Sequence, residues 1–410
     1  MTANSPNTNA YYPGDWVRPR ANHGDWIALV DLMEIYTGHR TTTRQGSFEV
    51  FDEPSNITLE VEEANKSESL LPEEPWNTSF TQGLWVWKDN DQYKMLYQAH
   101  SSNSICYSIS DDGYHWNSQN IGEVEFNGSK NNNIIPNAPH GPAFFEDPTA
   151  APEERFKSIS NYGGGFFDGN TGKPLGSNSG QLWNAQEYDG NNYDGPPVIL
   201  GGKGTGWTSP DRINWKRLPE PVIDQPIDGG ITAGYDPDTE TYFMYCRLHG
   251  PTSPELPGIG SSGPEKGLVR RAIGLTRTKD FRHWPHPKLV LHPDAHDDFD
   301  ISFYGSSYFR YPGRSDLHCL LVQVYHQLND HVDTQIAFSR DGISWERPER
   351  RAIIPVGTTG NGDEGTAYAW SSGLVTLPDG DWGYLYGGSS GLHNDQGTDK
   401  TKMGWARWRP

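Results

Sequence analysis

Ser110-Asp111-Asp112-Gly113-Tyr114-His115-Trp116 is a seven-residue phrase that returns three more times along the chain. It reads Ser209-Pro210-Asp211-Arg212-Ile213-Asn214-Trp215, then Thr278-Lys279-Asp280-Phe281-Arg282-His283-Trp284, then Ser339-Arg340-Asp341-Gly342-Ile343-Ser344-Trp345. Each copy follows a short run that reads as a strand, such as 272–276 or 334–338. Ser/Thr-x-Asp-x-x-x-Trp in that setting predicts a turn between two strands. Asp-Gly accepts the positive φ a tight turn needs, and the Trp opens the next strand with a large packing surface. Upstream of each phrase lies another hairpin, formed by 83–88 with 93–98, 141–145 with 155–160, 231–235 with 241–247, and 304–311 with 317–326. A fifth hairpin, 371–377 with 382–387, is followed by 403–408. Segments after the Trp, such as 288–291 and 351–355, complete a fourth strand per unit. No long stretch carries a 3.6-residue period.

Five repeated four-stranded units rich in Trp and Gly describe an all-β fold, a five-bladed β-propeller of antiparallel blades, rather than a two-sheet sandwich. The blades are expected at about 75–127, 128–223, 224–293, 294–356 and 357–410, after an N-terminal arm over 1–74. The fifth unit lacks its last strand. The alternating segments 47–51 and 57–61 are expected to supply it, closing the ring with an N-terminal strand and hiding an edge.

Composition limits the function. Of 410 residues, 34% are apolar, and 46 glycines bring this to about 45%, the ordinary globular range. No run approaches the roughly 18 apolar residues of a membrane helix. A net charge of -20 repels phosphate backbones and anionic lipid, so neither nucleic acid nor a membrane is expected as a partner, whereas a neutral saccharide meets no such penalty. Cys106, Cys246 and Cys319 match no zinc spacing and read as buried small hydrophobes. The polar stretch 1–12 lacks a signal-peptide pattern, so the expectation is a cytoplasmic protein or one whose leader was removed. The arm also offers a route to a homo-oligomer.

In a blade, the innermost strand starts at the ligand-binding face. Two sets of loops therefore share that face, the entries to first strands and the links from second to third strands. The signature turns fall on the opposite face, and so does Asp147, which reads as a turn former beside Pro148. The entry loops carry Asp228, Asp300, Asp363 and Glu364 on three neighbouring blades. Glycosidic cleavage needs one carboxylic acid to protonate the leaving oxygen and a second carboxylate as nucleophile or base. Clustered carboxylates raise one pKa and keep that proton available. Glu364 reads as the general acid, Asp228 as base or nucleophile, and Asp300 as pKa tuner or hydroxyl anchor. Trp76, Tyr162, Tyr304 and Trp370 offer sugar-stacking rings, and His140, Arg247, His249, His326 and Asp363 offer polar contacts. The link 161–205, rich in Gly, Asn and Tyr, reads as a long loop walling the mouth or as disorder. A structural cation such as calcium at 297–300 finds no EF-type spacing, and no cofactor is expected.

This layout resembles the five-bladed propeller glycoside hydrolases, the broad group of β-fructosidases, arabinanases and β-xylosidases. The likeness rests on the fivefold layout over 75–410, the repeated Ser-x-Asp-Gly-x-x-Trp, and the phrase Asp147-Pro148-Thr149-Ala150-Ala151-Pro152-Glu153-Glu154-Arg155-Phe156-Lys157, similar to stretches in bacterial relatives of that group. The resemblance implies a glycosidase. It also implies a first-blade Asp, but Pro75-Trp76-Asn77-Thr78 has none, so the catalytic residues are expected in later blades. Two alternatives stay open, a non-catalytic carbohydrate-binding propeller and a polysaccharide lyase using His and Tyr. A lyase would need a cation for a uronate, and Arg247 and Arg270 flank one rim loop.

Overall fold

A computed structural model describes residues 37–52, 58, 60–71, 74–78, 81–99, 104–139, 141–168, 198–224, 227, 229–248, 271–370, 372–394 and 400–409, with 37–41, 47–52, 161–168 and 198–203 as backbone only. The chain divides into two compact units, Met1–Val61 and Glu62–Pro410. In the first, β1 (Thr37–Thr43) and β2 (Gly46–Asp52) form an antiparallel hairpin.

The second unit begins with β3 (Asn65–Lys66). The first blade is β4 (Thr81–Asp89), β5 (Gln92–Ala99), β6 (Ser104–Ser110) and β7 (Asn117–Ser118). The second is β8 (Ala143–Glu146), β9 (Phe156–Asp168), β10 (Val198–Ser209) and β11 (Lys216–Ile223). The third is β12 (Thr232–Asp236), β13 (Thr241–Leu248), β14 (Ala272–Thr278) and β15 (Lys288–Leu291). The fourth holds β16 (Ile301–Arg310), β17 (His318–His326) and β18 (His331–Ser339). The fifth holds β19 (Thr366–Tyr368), β20 (Val375–Thr376), β21 (Trp382–Ser389) and β22 (Thr401–Trp408). A single parallel pair, Val332 with Thr366, joins the last two blades into one sheet. Among the described residues there is no α-helix.

Apolar side chains fill the seams between successive blades. Leu84 and Trp85 of the first pack on Phe144 and Trp215 of the second, and Phe145 and Val222 on Met244 and Trp284 of the third. Ile273 and Leu275 meet Phe303 and Val322 of the fourth, whose Tyr325 and Val332 meet Tyr368 of the fifth. Leu385, Met403 and Trp405 of the fifth return to Val86, Met95 and Tyr97 of the first. Removing a buried ring of this size costs about 3–5 kcal/mol. Backbone bonds between Ser372 and both Leu84 and Val86 stitch the same fifth-to-first seam. The result is a five-bladed propeller.

The repeated phrase is a turn closed by its own hydrogen bonds. Asp112 Oδ1 accepts from the backbone N–H of Tyr114 and His115, both at 2.8 Å. Asp211 does the same for Ile213 and Asn214, and Asp341 for Ile343 and Ser344. The leading Ser accepts the N–H three residues on, and Trp116, Trp215 and Trp284 donate their indole N–H to the carbonyl three residues back. Gly113 and Gly342 take φ of 76° and 70°, and Arg212 takes φ of 69° at the equivalent position. That left-handed backbone disfavours a side chain. The Arg212 guanidinium compensates by lying 3.9 Å from the centre of the Phe156 ring and 3.1 Å from Glu146 in its own blade, and 4.5 Å from the Trp87 ring of the first blade, so that it bridges the two. Asp147 closes its own turn by accepting from Thr149 and from the Tyr242 hydroxyl of the next blade.

Three expectations change. Residues 47–51 pair with β1, and the strand beside β22 is Asn65–Lys66. Residues 58, 60 and 61 are not in a strand, while 57 and 59 lie outside the described residues. Residues 161–168 and 198–205 are not loop but continue the β9–β10 ladder out to Asp168 and Val198. Residues 351–355 form a bridge at Ile354 to Thr334 rather than a full strand, because a proline follows at once at 355 and leaves no donor.

Candidate functional site

The pairing registers fix which ends of the strands share a face. In the fourth blade Ile301, His326 and His331 lie side by side at one end, and Arg310, His318 and Ser339 at the other. The signature turns leave the second end, so the first end is the mouth.

At the mouth, β16 carries a bulge between Phe303 and Gly305, and Tyr304 is the extra residue. A bulge re-aims the side chain it inserts. Here it sets Tyr304 among groups from both neighbouring blades. The Arg247 guanidinium, near the end of β13, lies 3.8 Å from the Tyr304 ring centre, and its Nε donates to the Tyr304 carbonyl. Arg271, just before β14, lies 5.3 Å from the same ring. Both arginines are buried. From the fifth blade, Trp370 stacks on Tyr304 at 6.0 Å and 14°, and His393 stands edge-on at 4.4 Å. The Tyr368 hydroxyl shares a 2.6 Å hydrogen bond with His393 Nδ1. Asp330 holds His393 in place by its carbonyl and Asn394 by its carboxylate. This close approach depends on Gly305, where a Cβ would meet Gln323 Oε1 at 2.5 Å and the Gly230 backbone at 2.8 Å.

A second polar group lies beside the first. His326 Nε2 is 2.9 Å from Asp333 Oδ2. Burial, the largest single influence on His326, opposes its protonation, but Asp333, Asp300 and Asp298 together outweigh it and raise the ring's pKa above the ordinary value. Asp300 is buried, and its Oδ2 accepts the Leu328 N–H at 3.1 Å. Asp298 and Asp300 flank Phe299 in the entry loop.

In the fifth entry loop, Glu364 accepts N–H bonds from Gly360 and Gly362, the latter at 2.8 Å. Partial burial is the largest influence on Glu364 and pushes its pKa up, yet the backbone donors win and hold it below the usual glutamate value. Asp363 is fully buried. It pairs with Lys66 at 2.8 Å and accepts the Tyr386 hydroxyl at 2.9 Å, so its carboxylate anchors β3 to the blade. Trp76 is 8% exposed and packs edge-on against Phe126, leaving its ring faces to protein. Asp228, His140 and His249 lie outside the described residues, as does the side chain of Tyr162.

Arg247, Tyr304 and Trp370 are thus brought together, and Asp300 and His326 are electrostatically coupled. Tyr368, Arg271 and Asp333 complete these groups without having stood out in the sequence. Arg271 borders the rim link whose neighbouring Arg270, outside the described residues, drew attention instead. Tyr368 sits in an apolar strand pattern, where a tyrosine reads as core.

The chain resembles solved structures over most of its length. One is the N-acetylgalactosamine deacetylase from F. plautii in complex with blood group B trisaccharide, at 12% identity, 85% of this chain, 93% of that chain and a TM-score of 0.50. Others are a thermostable family-43 glycoside hydrolase, at 11% identity, 83% and 92% coverage and a TM-score of 0.49, and the endo-arabinase from Bacteroides thetaiotaomicron, at 10% identity, 83% and 97% coverage and a TM-score of 0.45. At these identities the likeness is one of fold. No family model and no curated protein matches the sequence.

Proposed function

We propose that the chain hydrolyses a glycosidic bond of an oligo- or polysaccharide held at the mouth of blades three to five. The observation that carries this reading is the convergence of Arg247, Tyr304 and Trp370 from three successive blades. Aromatic faces suit the C–H face of a sugar, the half-buried His326 and His393 suit its hydroxyls, and the buried Arg247 fixes Tyr304 from behind. The carboxylates are supplied by the entry loops. Glu364, held ionised by backbone donors, suits the nucleophile or base, which reverses the role expected from sequence. The proton on the leaving oxygen then comes from Asp228, with Asp300 anchoring a hydroxyl. His326 serves as a sugar contact oriented by Asp333, and His140, Tyr162 and His249 are assigned as further sugar contacts from sequence alone.

A second reading draws on one contact. The Tyr368–His393 hydrogen bond, beside Arg247 and Arg271, is a base-and-acid pair next to cations, the set a uronate lyase would use. The net charge of -20 disfavours an acidic polymer. One assay separates the readings. Arabinan, xylan, levan and polygalacturonate are incubated with the chain, and reducing ends and ultraviolet absorbance are followed together. Hydrolysis releases reducing ends without absorbance, and Glu364→Gln abolishes it. An absorbing unsaturated product would replace the proposal with the lyase, and binding without turnover would replace it with a carbohydrate-binding role.

A further inference from the structure

Phe299, Leu328 and Leu392 are three of the five large apolar side chains that stand exposed among the described residues, and all three lie at the mouth. They come from separate connections, β15 to β16, β17 to β18, and β21 to β22. Hydrogen bonds tie these connections together. The Leu328 N–H donates to Asp300, next to Phe299, and the His393 N–H, next to Leu392, donates to the Asp330 carbonyl at 2.8 Å. The loop under Phe299 is fixed as well. Asp297 is buried between Arg347 and Arg350, and the Ile301 N–H donates to the Asp298 carbonyl at 3.1 Å.

Phe299 is 63% exposed on this rigid support. A lone exposed side chain such as Ile343 needs no partner, but three on connections that bond to one another beside the site mark a surface that binding would cover. The flanking Asp298 and Asp300 and the net charge of -20 oppose a second copy of this acidic chain. A neutral saccharide meets no repulsion, and it presents a C–H face to the ring and hydroxyls to the exposed Asp298 carboxylate. The rim is also continuous with the site, because Asp300 and His393 belong to both. The geometry points to an outer saccharide subsite with Phe299 as its platform, so that the substrate extends beyond two sugar units. This inference rests on the reading of the mouth as a glycosidase site. A loop already fixed loses little freedom on binding, which favours such a contact.

The test uses oligosaccharides of two to five units prepared from arabinan, xylan and levan. On the series that the unmodified chain cleaves, the ratio of kcat/KM for the tetramer to that for the dimer is compared across variants. Phe299→Ala is expected to lower this ratio about five- to tenfold, Phe299→Trp to preserve it, and Ile343→Ala, exposed on the opposite face, to leave it unchanged. An unaltered ratio in Phe299→Ala, with cleavage intact, overturns the subsite alone. Absence of cleavage and of binding to every series overturns the glycosidase reading and the subsite with it.

Discussion

The two faces of the propeller use the same residue types for opposite ends. On the face of the signature turns, Asp112, Asp211 and Asp341 spend their carboxylates on backbone N–H groups two and three residues ahead. At the mouth, Asp300, Asp330 and Asp333 reach across 28, 64 and 7 residues to another loop or strand. Local bonding makes a turn repeatable, and bonds between separate loops and strands tie Asp300, Asp330 and Asp333 into the mouth.

The largest effect expected from breaking this contrast is catalytic. Glu364→Gln removes the carboxylate proposed as nucleophile or base and is expected to lower kcat at least about 100-fold on the cleaved saccharide. Asp341→Asn, on the other face, leaves kcat within about twofold, the range of distant surface changes. Steady-state kinetics of the two variants side by side checks the pair.

Next comes Lys66→Met. It leaves the fully buried Asp363 carboxylate without its cation, at a cost of about 3–5 kcal/mol, read from the denaturant midpoint. Asp341→Ala removes only the local, partly exposed bonds of one turn and is expected to cost about 1–2 kcal/mol, as loss of a helix cap does. A Lys66→Met loss no larger than that of Asp341→Ala would show that the pair does not anchor β3.

The turns also predict an acid limb. The His115 side chain, and then backbone donors, hold Asp112 below the ordinary aspartate value, and His283 does so first for Asp280. Burial, the largest influence on Asp211 and Asp341, raises their pKa, but backbone donors outweigh it. Groups depressed in the folded state add stability that is complete above the unfolded value, about 4, and is lost as pH falls through the folded values. Unfolding measured from pH 6 downward should show this loss, and Asp341→Asn should flatten it slightly.

The smallest effect concerns His326. Its pKa is raised in the folded chain, so the associated stability is full below about 6.5 and fades as pH rises through the folded value. Asp333→Asn is expected to move the His326 titration, followed by NMR, to lower pH. An unmoved titration would mean that the 2.9 Å contact with Asp333 is not the source of the shift.

This contrast also explains what the sequence disclosed. The blades were legible because each signature turn closes within seven residues and leaves a fixed pattern of Ser, Asp and Trp. The candidate site was legible only in part. Arg247, Tyr304 and Trp370 lie at predictable ends of strands, but their meeting depends on the bulge at Tyr304 and on Gly305, and neither has a distinctive local sequence. Asp363 next to Glu364 looked equally free in sequence. Only its pairing with Lys66, 297 residues away, marks it as an anchor. The pairing partner of β22 was missed for a related reason. Asn65–Lys66 is a two-residue strand without alternation, tied down by the Lys66 side chain and by backbone bonds from Ser67 and Leu70 to β22.

The most direct measurement is the structure of the Glu364→Gln chain with an uncleaved oligosaccharide from the cleaved series bound. A sugar ring against Tyr304 and Trp370, within reach of Arg247 and of residue 364, is the result expected. A saccharide seated elsewhere, for example in the groove between Trp87, Tyr93 and Pro378 on the seam of the first and fifth blades, would contradict the account.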